Sequence, residues 1–205
     1  ESVCELEQCH RLVGVDRYSN WPEAVIAKLP KVGGGLDPSI EAVVALKPDV
    51  VLMSVSSRAS DRLEALGLTV VQLEPKTHAD VRRVLGIVSD LLGVPRAQGS
   101  DRLWRVIDAG VLAAAQSLPS KAKNVRVYFE VSRGPYAAGE ASFIGETLTR
   151  LGARNVVPGA LGPFPKLNPE FVVRANPDLI MIGQRSVDAG RPLRRATSAI
   201  RSSKP

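Results

Sequence analysis

The chain has 205 residues, of which 44% are hydrophobic, enough apolar material to bury a core in one domain or in two small lobes. No apolar run is long enough to span a bilayer, and the first residues lack the pattern of a secretory signal, so we expect a soluble protein whose signal is absent from this chain. Much of the net charge of +6 lies in the last twenty residues, and the charges elsewhere are mixed in sign, which argues against a nucleic-acid groove.

Strand and helix signals alternate along the first half of the chain. Strands are predicted at 12–15, 50–53 and 70–73. Four helices are predicted: one at 1–9, one that begins at Asp37-Pro38, one that ends at Gly67, and one from Thr77 to Gly93. Thr77 with Asp80 is a capping pair for the last of these helices. Cys4 and Cys9 are the only cysteines, and their spacing fits a disulfide and two free thiols about equally well.

The pattern restarts after a long helix. That helix is predicted at 96–118, with Leu103, Ile107, Val111, Ala114 and Leu118 on one face. A strand at 125–129, a helix at 142–151, a short strand at 156–157 and a buried strand at 179–182 follow. Such alternation predicts an α/β fold with two Rossmann-like lobes, mostly parallel sheets and a single long helix between them.

The predicted domain organisation follows from these elements. It comprises an N-terminal lobe (1–95), the linking helix (96–118), a C-terminal lobe (119–185) and an atypical basic tail (186–205) that we expect to be disordered. Because the chain begins within a helix and the tail lacks apolar periodicity, we also expect the first strand and the C-terminal end of the fold to be incomplete.

An internal repeat supports the two-lobe interpretation. The segment EAVVALKPDV, from Glu41, matches EFVVRANPDL, from Glu170, at a constant offset (170 − 41 = 129), and in each copy a Pro, Pro38 or Pro169, is expected just ahead of the helix. A carboxylate in the first helical turn is favourable in itself, so either glutamate alone needs no further explanation. Two at equivalent positions suggest a pair of acidic docking points for a dimeric partner.

These segments carry a resemblance to a known family. GLDPSIEAVVALKPDVVLMS, LEALGLTVV, AAGEASFIGETLTRLGARNVV and NPEFVVRANPDLIMIG resemble class III periplasmic solute-binding proteins of ABC importers, and VGVDRYSNWP most resembles the cobalamin-binding members. The resemblance implies a monomeric periplasmic protein that captures cobalamin or another metal chelate, such as a ferric siderophore or haem, between its lobes. It also implies delivery to a permease dimer, a transient membrane association through that permease, and permease contacts at Glu41 and Glu170.

The ligand is expected beyond the carboxyl ends of the strands, where the loops lie. These loops carry aromatic side chains in a chain that is only 4% aromatic, and such rings suit a flat macrocycle. Trp21 and Phe164 could instead pack beside their neighbouring prolines. The resemblance places Tyr18, Gly34, Ser54, Tyr136 and Phe164 near the family's ligand contacts. With Trp21, these are the six predicted ligand-binding residues.

Catalytic interpretations find little support in the sequence. Both histidines, His10 and His78, lack acidic or cysteine companions at metal-ligand spacing and are predicted at the surface. The run Gly33–Gly35 lacks the Lys-Ser/Thr of a phosphate loop. We therefore predict no catalytic residue, no metal site, no cofactor and no nucleic-acid partner. An α/β enzyme or nucleotide-binding subunit using the same cleft, and a degraded relic, remain the alternatives.

Overall fold

The structure is a computed structural model and describes residues 1–132 and 136–182. The predicted disordered tail at 186–205, the end of the predicted C-terminal lobe and the tip of the loop after the 126–132 strand lie outside these residues. Within them, no helix has the length and apolar character needed to cross a membrane.

Eight α-helices and six strands are found in the described part of the chain. The helices are α1 (Ser2–Glu5), α2 (Glu23–Ile26), α3 (Ile40–Ala45), α4 (Ser60–Ala65), α5 (His78–Leu91), α6 (Ser100–Ser117), α7 (Phe143–Arg150) and α8 (Pro169–Ala175). The strands are β1 (Val51–Met53), β2 (Val70–Gln72), β3 (Arg126–Ser132), β4 (Tyr136–Ala137), β5 (Arg154–Asn155) and β6 (Leu179–Ile182). Short 3-10 turns occur at Cys9–Arg11, Ser120–Ala122 and Gly159–Leu161.

Two sheets organise the molecule. β1 and β2 pair in parallel, with Val51 opposite Val70. In the second sheet β3 is central: β5 and β6 run parallel to it, and β4 runs antiparallel at its carboxyl end. This confirms the predicted α/β class with mostly parallel sheets. Helix α6 lies between the two sheets in sequence, inside the segment predicted as the linking helix, although the predicted lobe boundaries stay predictions.

The core is divided into three buried clusters. One joins α3 and α4 to the first sheet, and another joins α8 to β3, β4 and the segment after β5. The third packs α1 against α5 and α6 through Val3, Leu6, Leu85, Val88 and Leu103. Cys4 and Cys9 form a disulfide beside this third cluster, which decides between the two interpretations of their spacing.

Helix starts are predicted well wherever the cap chemistry is local. Thr77 and Asp80 form the predicted capping box at α5, and the Ser142 hydroxyl accepts the N–H of Gly145 at the start of α7. The prediction that Asp37-Pro38 begins a helix is wrong. Ser39 is the N-cap of α3, because its hydroxyl accepts the N–H of Ala42 and the Asp37 carboxylate faces Arg17 instead.

Three strand predictions are wrong, because strand pairing and burial depend on neighbouring elements that the local sequence does not specify. Residues 12–15 make a single bridge, Val15 with Lys31, in place of a strand, and the pairing predicted at 156–157 lies at Arg154–Asn155. β6 was expected to be buried, yet its four side chains are 37–66% exposed. Its backbone pairs with β3, but a strand is buried only when layers cover both faces, and the described residues do not cover these side chains.

Candidate ligand cleft and docking helices

The loop after Val15 presents the first two aromatic candidates. The Asp16 carboxylate accepts the backbone N–H groups of Tyr18 (2.7 Å) and Ser19 (3.0 Å) and the Ser19 hydroxyl (2.8 Å). Burial acts to raise the pKa of Asp16, but these hydrogen bonds outweigh it and hold the pKa below its ordinary value. The ionised carboxylate therefore fixes a turn at Tyr18 and Ser19. In the loop that contains this turn, Tyr18 and Trp21 are each 60% exposed.

Gly34 lies beside this loop and is itself buried. The Arg17 backbone N–H donates to the carbonyl of Gly33 at 2.8 Å, and the Arg17 guanidinium lies 3.4 Å from Asp37 and 5.7 Å from the centre of the Tyr18 ring. A Cβ atom on Gly34 would collide with the Asp37 carboxylate. Glycine at this position therefore lets Asp37 hold Arg17 next to the Tyr18 ring.

The loop after β1 approaches the glycine run. Ser54 accepts the backbone N–H of Ser56 at 3.2 Å, and the Ser57 hydroxyl donates to the carbonyl of Leu36 at 3.5 Å. The Ser56 hydroxyl donates to Glu74 in the segment after β2, also at 3.5 Å. The structure thus gathers the loops that follow β1 and β2 and the glycine run on one side of the N-terminal lobe.

Tyr136 and Phe164 occupy adjoining segments of the C-terminal lobe. Tyr136 bridges Lys166, and the next N–H, that of Ala137, donates to the carbonyl of Pro165 at 3.0 Å. The Phe164 ring packs edge-on against Phe143, at the start of α7, with ring centres 6.1 Å apart. Phe164 is therefore half-buried against another aromatic ring, while the Tyr136 side chain is 43% exposed.

The two docking candidates occupy matching positions on α3 and α8. Each helix has a polar N-cap, Ser39 or Asn168, whose side chain accepts the N–H three residues on, and each repeat has a left-handed residue, Lys47 or Asn176, at or just beyond the helix end. Both pairs, Ser39 with Asn168 and Lys47 with Asn176, are 129 residues apart. Pro169 is the first helical residue of α8, whereas Pro38 precedes the α3 cap.

Both glutamates are exposed in the first turn of their helices. Hydrogen bonds from its own backbone N–H and from the Ser39 hydroxyl hold the pKa of Glu41 below its ordinary value, so its carboxylate is charged at neutral pH. One turn further along, the helices expose Val44 (38%) and Val173 (77%), again at equivalent positions. Each lobe thus presents a carboxylate beside an exposed apolar side chain.

His78 was missed as a structural residue by sequence reasoning. It was expected at the surface, but its side chain is only 17% exposed and contacts α7 in the other lobe. No local pattern identifies it, because its partners lie 68 to 72 positions away along the chain. For metals, residues 1–132 and 136–182 contain no group of three or more His, Cys, Asp or Glu side chains suited to holding an ion.

A family model described as periplasmic binding protein matches residues 1–197. A cobalamin-binding protein of Halobacterium salinarum is 28% identical over 193 residues, covering 89% of this chain and 51% of that protein. An uncharacterised ABC transporter substrate-binding lipoprotein of Bacillus subtilis is 28% identical over 185 residues, covering 83% and 56%. The chain thus spans about half the length of these curated relatives.

Solved structures agree on the architecture. A periplasmic haem-binding protein of Pseudomonas aeruginosa is 26% identical and superimposes with a TM-score of 0.74, covering 92% of this chain and 69% of that one. This likeness confirms the two-lobed fold that the repeat predicts.

Proposed function

Since the chain belongs to the periplasmic binding protein family, we propose that it is the binding component of an ABC importer and takes a corrinoid such as cobalamin in the cleft between its lobes. The family consists of substrate-binding proteins of transport systems. The observation that carries the proposal is the exposure of Tyr18 and Trp21 on the loop of the N-terminal lobe. Exposed aromatic rings are costly in water and suit the face of a flat ligand.

A second candidate ligand is haem. The Pseudomonas aeruginosa structure is a haem-binding protein, and Arg17 places a cation beside the Tyr18 ring. A guanidinium suits a ligand with carboxylate groups, as haem has, because it can bind a carboxylate in two parallel hydrogen bonds. Contact between Arg17 and the ligand would favour haem over cobalamin. A ferric siderophore is the third chelate that the family resemblance brings into consideration.

The delivery step is assigned to the docking helices. Glu41 and Glu170 would each bind a basic pocket on one subunit of a permease dimer, and a matched pair fixes orientation better than one contact does. The periplasm is the proposed location, with the protein acting as a monomer that meets the membrane only through the permease. The six predicted ligand residues and the two docking glutamates are all part of this proposal.

The ligand assignment is tested by a thermal-shift screen with cyanocobalamin, haemin, a ferric siderophore and ATP. A ligand that binds only the folded state raises the melting temperature in a concentration-dependent manner. We expect a shift with cyanocobalamin and none with ATP. A shift with haemin alone would transfer the assignment to haem, and a shift with ATP alone would favour the nucleotide-binding alternative. A chain without a cooperative transition would support the interpretation as a relic.

A further inference from the structure

His78 lies at the junction of three helices that belong to different parts of the molecule. It is the first residue of α5, and its backbone N–H donates to the Glu146 carboxylate of α7 at 2.5 Å. Its ring lies edge-on to Trp104 of α6, with ring centres 6.0 Å apart. One residue of the N-terminal lobe thus touches both the linking helix and the first helix of the C-terminal sheet.

Both ring nitrogens of His78 face polar groups of α7. The Thr147 hydroxyl donates to the carbonyl of Phe143 at 2.7 Å, so its oxygen is free only to accept from His78 Nε2, 2.8 Å away. In the neutral ring Nδ1 is then an acceptor, and it faces the Arg150 guanidinium at 3.4 Å. The His78 ring thus joins α5 to α7 through both of its nitrogen atoms.

Arg150 continues the connection to the linking helix. Its guanidinium donates to the Asp108 carboxylate of α6 at 2.6 Å, and Glu146 lies 3.8 Å from Nδ1 of His78. The side chains of Arg150 and Glu146 are 30% and 35% exposed, so these contacts are partly shielded from water. Helix α7 is thus bonded to α5 and α6 at once, by groups that alternate in charge.

The same helix reaches the proposed ligand cleft. The Phe143 backbone N–H donates to the carbonyl of Lys76 at 2.6 Å, two residues before His78, and the Phe143 ring packs on Phe164. A shift of α7 relative to α5 would therefore move Phe164 relative to the loops of the N-terminal lobe.

We propose that these five side chains, His78, Asp108, Glu146, Thr147 and Arg150, form an interlobe clasp that sets the width of the ligand cleft without touching the ligand. A shallow depression of about 430 Å³ opens beside the clasp and is lined by His78, Glu140, Glu146, Thr149 and Arg150. The charged groups of this depression pair with one another or with neighbouring backbone, as Glu140 does with the N–H of Gly159. This pairing favours a structural connection over a second ligand site.

The test compares matched variants by the distance between the lobes. Nitroxide labels on genetically encoded side chains at two exposed positions, Glu64 on α4 and Arg154 on β5, report one distance between the lobes. We expect a narrow distribution in the parent protein and a shifted or broadened one in Thr147→Val, which replaces the hydroxyl with a methyl group of similar size. Thr147→Ser, which keeps the hydroxyl, and His10→Ala, at the exposed second histidine, should preserve the parent distribution.

His78→Ala provides a second, independent disruption, and a melting curve on each variant establishes that it is folded. An unchanged distribution in both Thr147→Val and His78→Ala would overturn the clasp. The consequence for ligand binding rests on the proposed function: affinity for cyanocobalamin or haemin should fall about threefold to tenfold in Thr147→Val, the range for one hydrogen bond, and recover in Thr147→Ser. Altered distances with unchanged affinity would support control of the cleft width but contradict its effect on ligand binding. If the parent binds none of cyanocobalamin, haemin and ferric siderophores, the proposed function fails while the distances still decide the clasp.

Discussion

Ser39 and Asn168 perform the same task in the two halves of the molecule, each accepting the backbone N–H three residues ahead at the start of a short helix. The helices they cap carry Glu41 and Glu170 in their first turns and end near left-handed residues at matching positions. The repeat in the sequence is therefore a repeat of local structure, which is why it predicts where the two acidic groups lie.

The docking assignment predicts a separation of transport from binding. Reversing both charges, Glu41→Lys with Glu170→Lys, should reduce transport through the cognate permease in reconstituted vesicles at least tenfold, because the two lysine ammonium groups would repel the basic pockets that the carboxylates bind. Ligand affinity should stay within about twofold, since both side chains are exposed outside the ligand-binding loops.

Glu64→Lys, at an exposed position on α4, is the matched control and should transport normally. Affinity that falls together with transport in the double variant would place the glutamates in the ligand site and contradict the docking role.

Replacing two helical glycines by alanine, one at a time, should change the free energy of unfolding in opposite directions. In α7 a Cβ atom on Gly145 would collide with the backbone of Gly139 and Glu140, so Gly145→Ala should lower the free energy of unfolding by about 1–3 kcal/mol. In α6 a Cβ on Gly110 meets no atom within 4 Å, so Gly110→Ala should raise stability by about 0.5–1 kcal/mol. Urea denaturation measures both, and equal effects would contradict the packing of α7 against the loop before it.

Acid sensitivity is predicted from the Arg126–Asp178 pair at the start of β3. The Asp178 carboxylate accepts the backbone N–H and two guanidinium N–H groups of Arg126, which lowers the pKa of Asp178 to about 2. Because the folded value lies below the unfolded one, of about 3.9, the stabilisation is present above pH 4 and is lost as the pH falls towards 2.

Asp178→Asn should therefore flatten the decline of stability between pH 4 and 2 relative to the parent protein, as followed by circular dichroism of chemical denaturation. An unaltered pH profile in this variant would show that the pair contributes little to the acid response.

The sequence predicted most where the determinants are local. The Thr77–Asp80 capping box, the helix starting near Ser142 and the repeat were all predicted, because each depends on residues a few positions apart or on a direct match between segments. His78 and the Asp37-Pro38 start were misjudged, because the partners of His78 and Asp37 are distant in sequence. Exposure of β6 could not be predicted either, since burial depends on which elements cover a strand and not on its own residues.

The candidate ligand site likewise has features set by local sequence and features set by distant contacts. The exposed loop that carries Tyr18 and Trp21 was predicted from its sequence, because the hydrogen bonds from Tyr18 and Ser19 to Asp16 that shape it are local. That these two rings bind a ligand stays a prediction. The association of Phe164 with Phe143 depends on how α7 is placed against the loop at 162–166, and no sequence pattern specifies that placement.

Calorimetric titration with cyanocobalamin tests the central claim most directly. The account predicts saturable binding at micromolar or tighter affinity, a loss of at least about tenfold on Tyr18→Ala or Tyr136→Ala, and no change on Val106→Ala, a matched exposed position on α6. Absence of heat with cyanocobalamin, haemin and ferric siderophores alike would contradict a chelate-binding cleft between the two lobes.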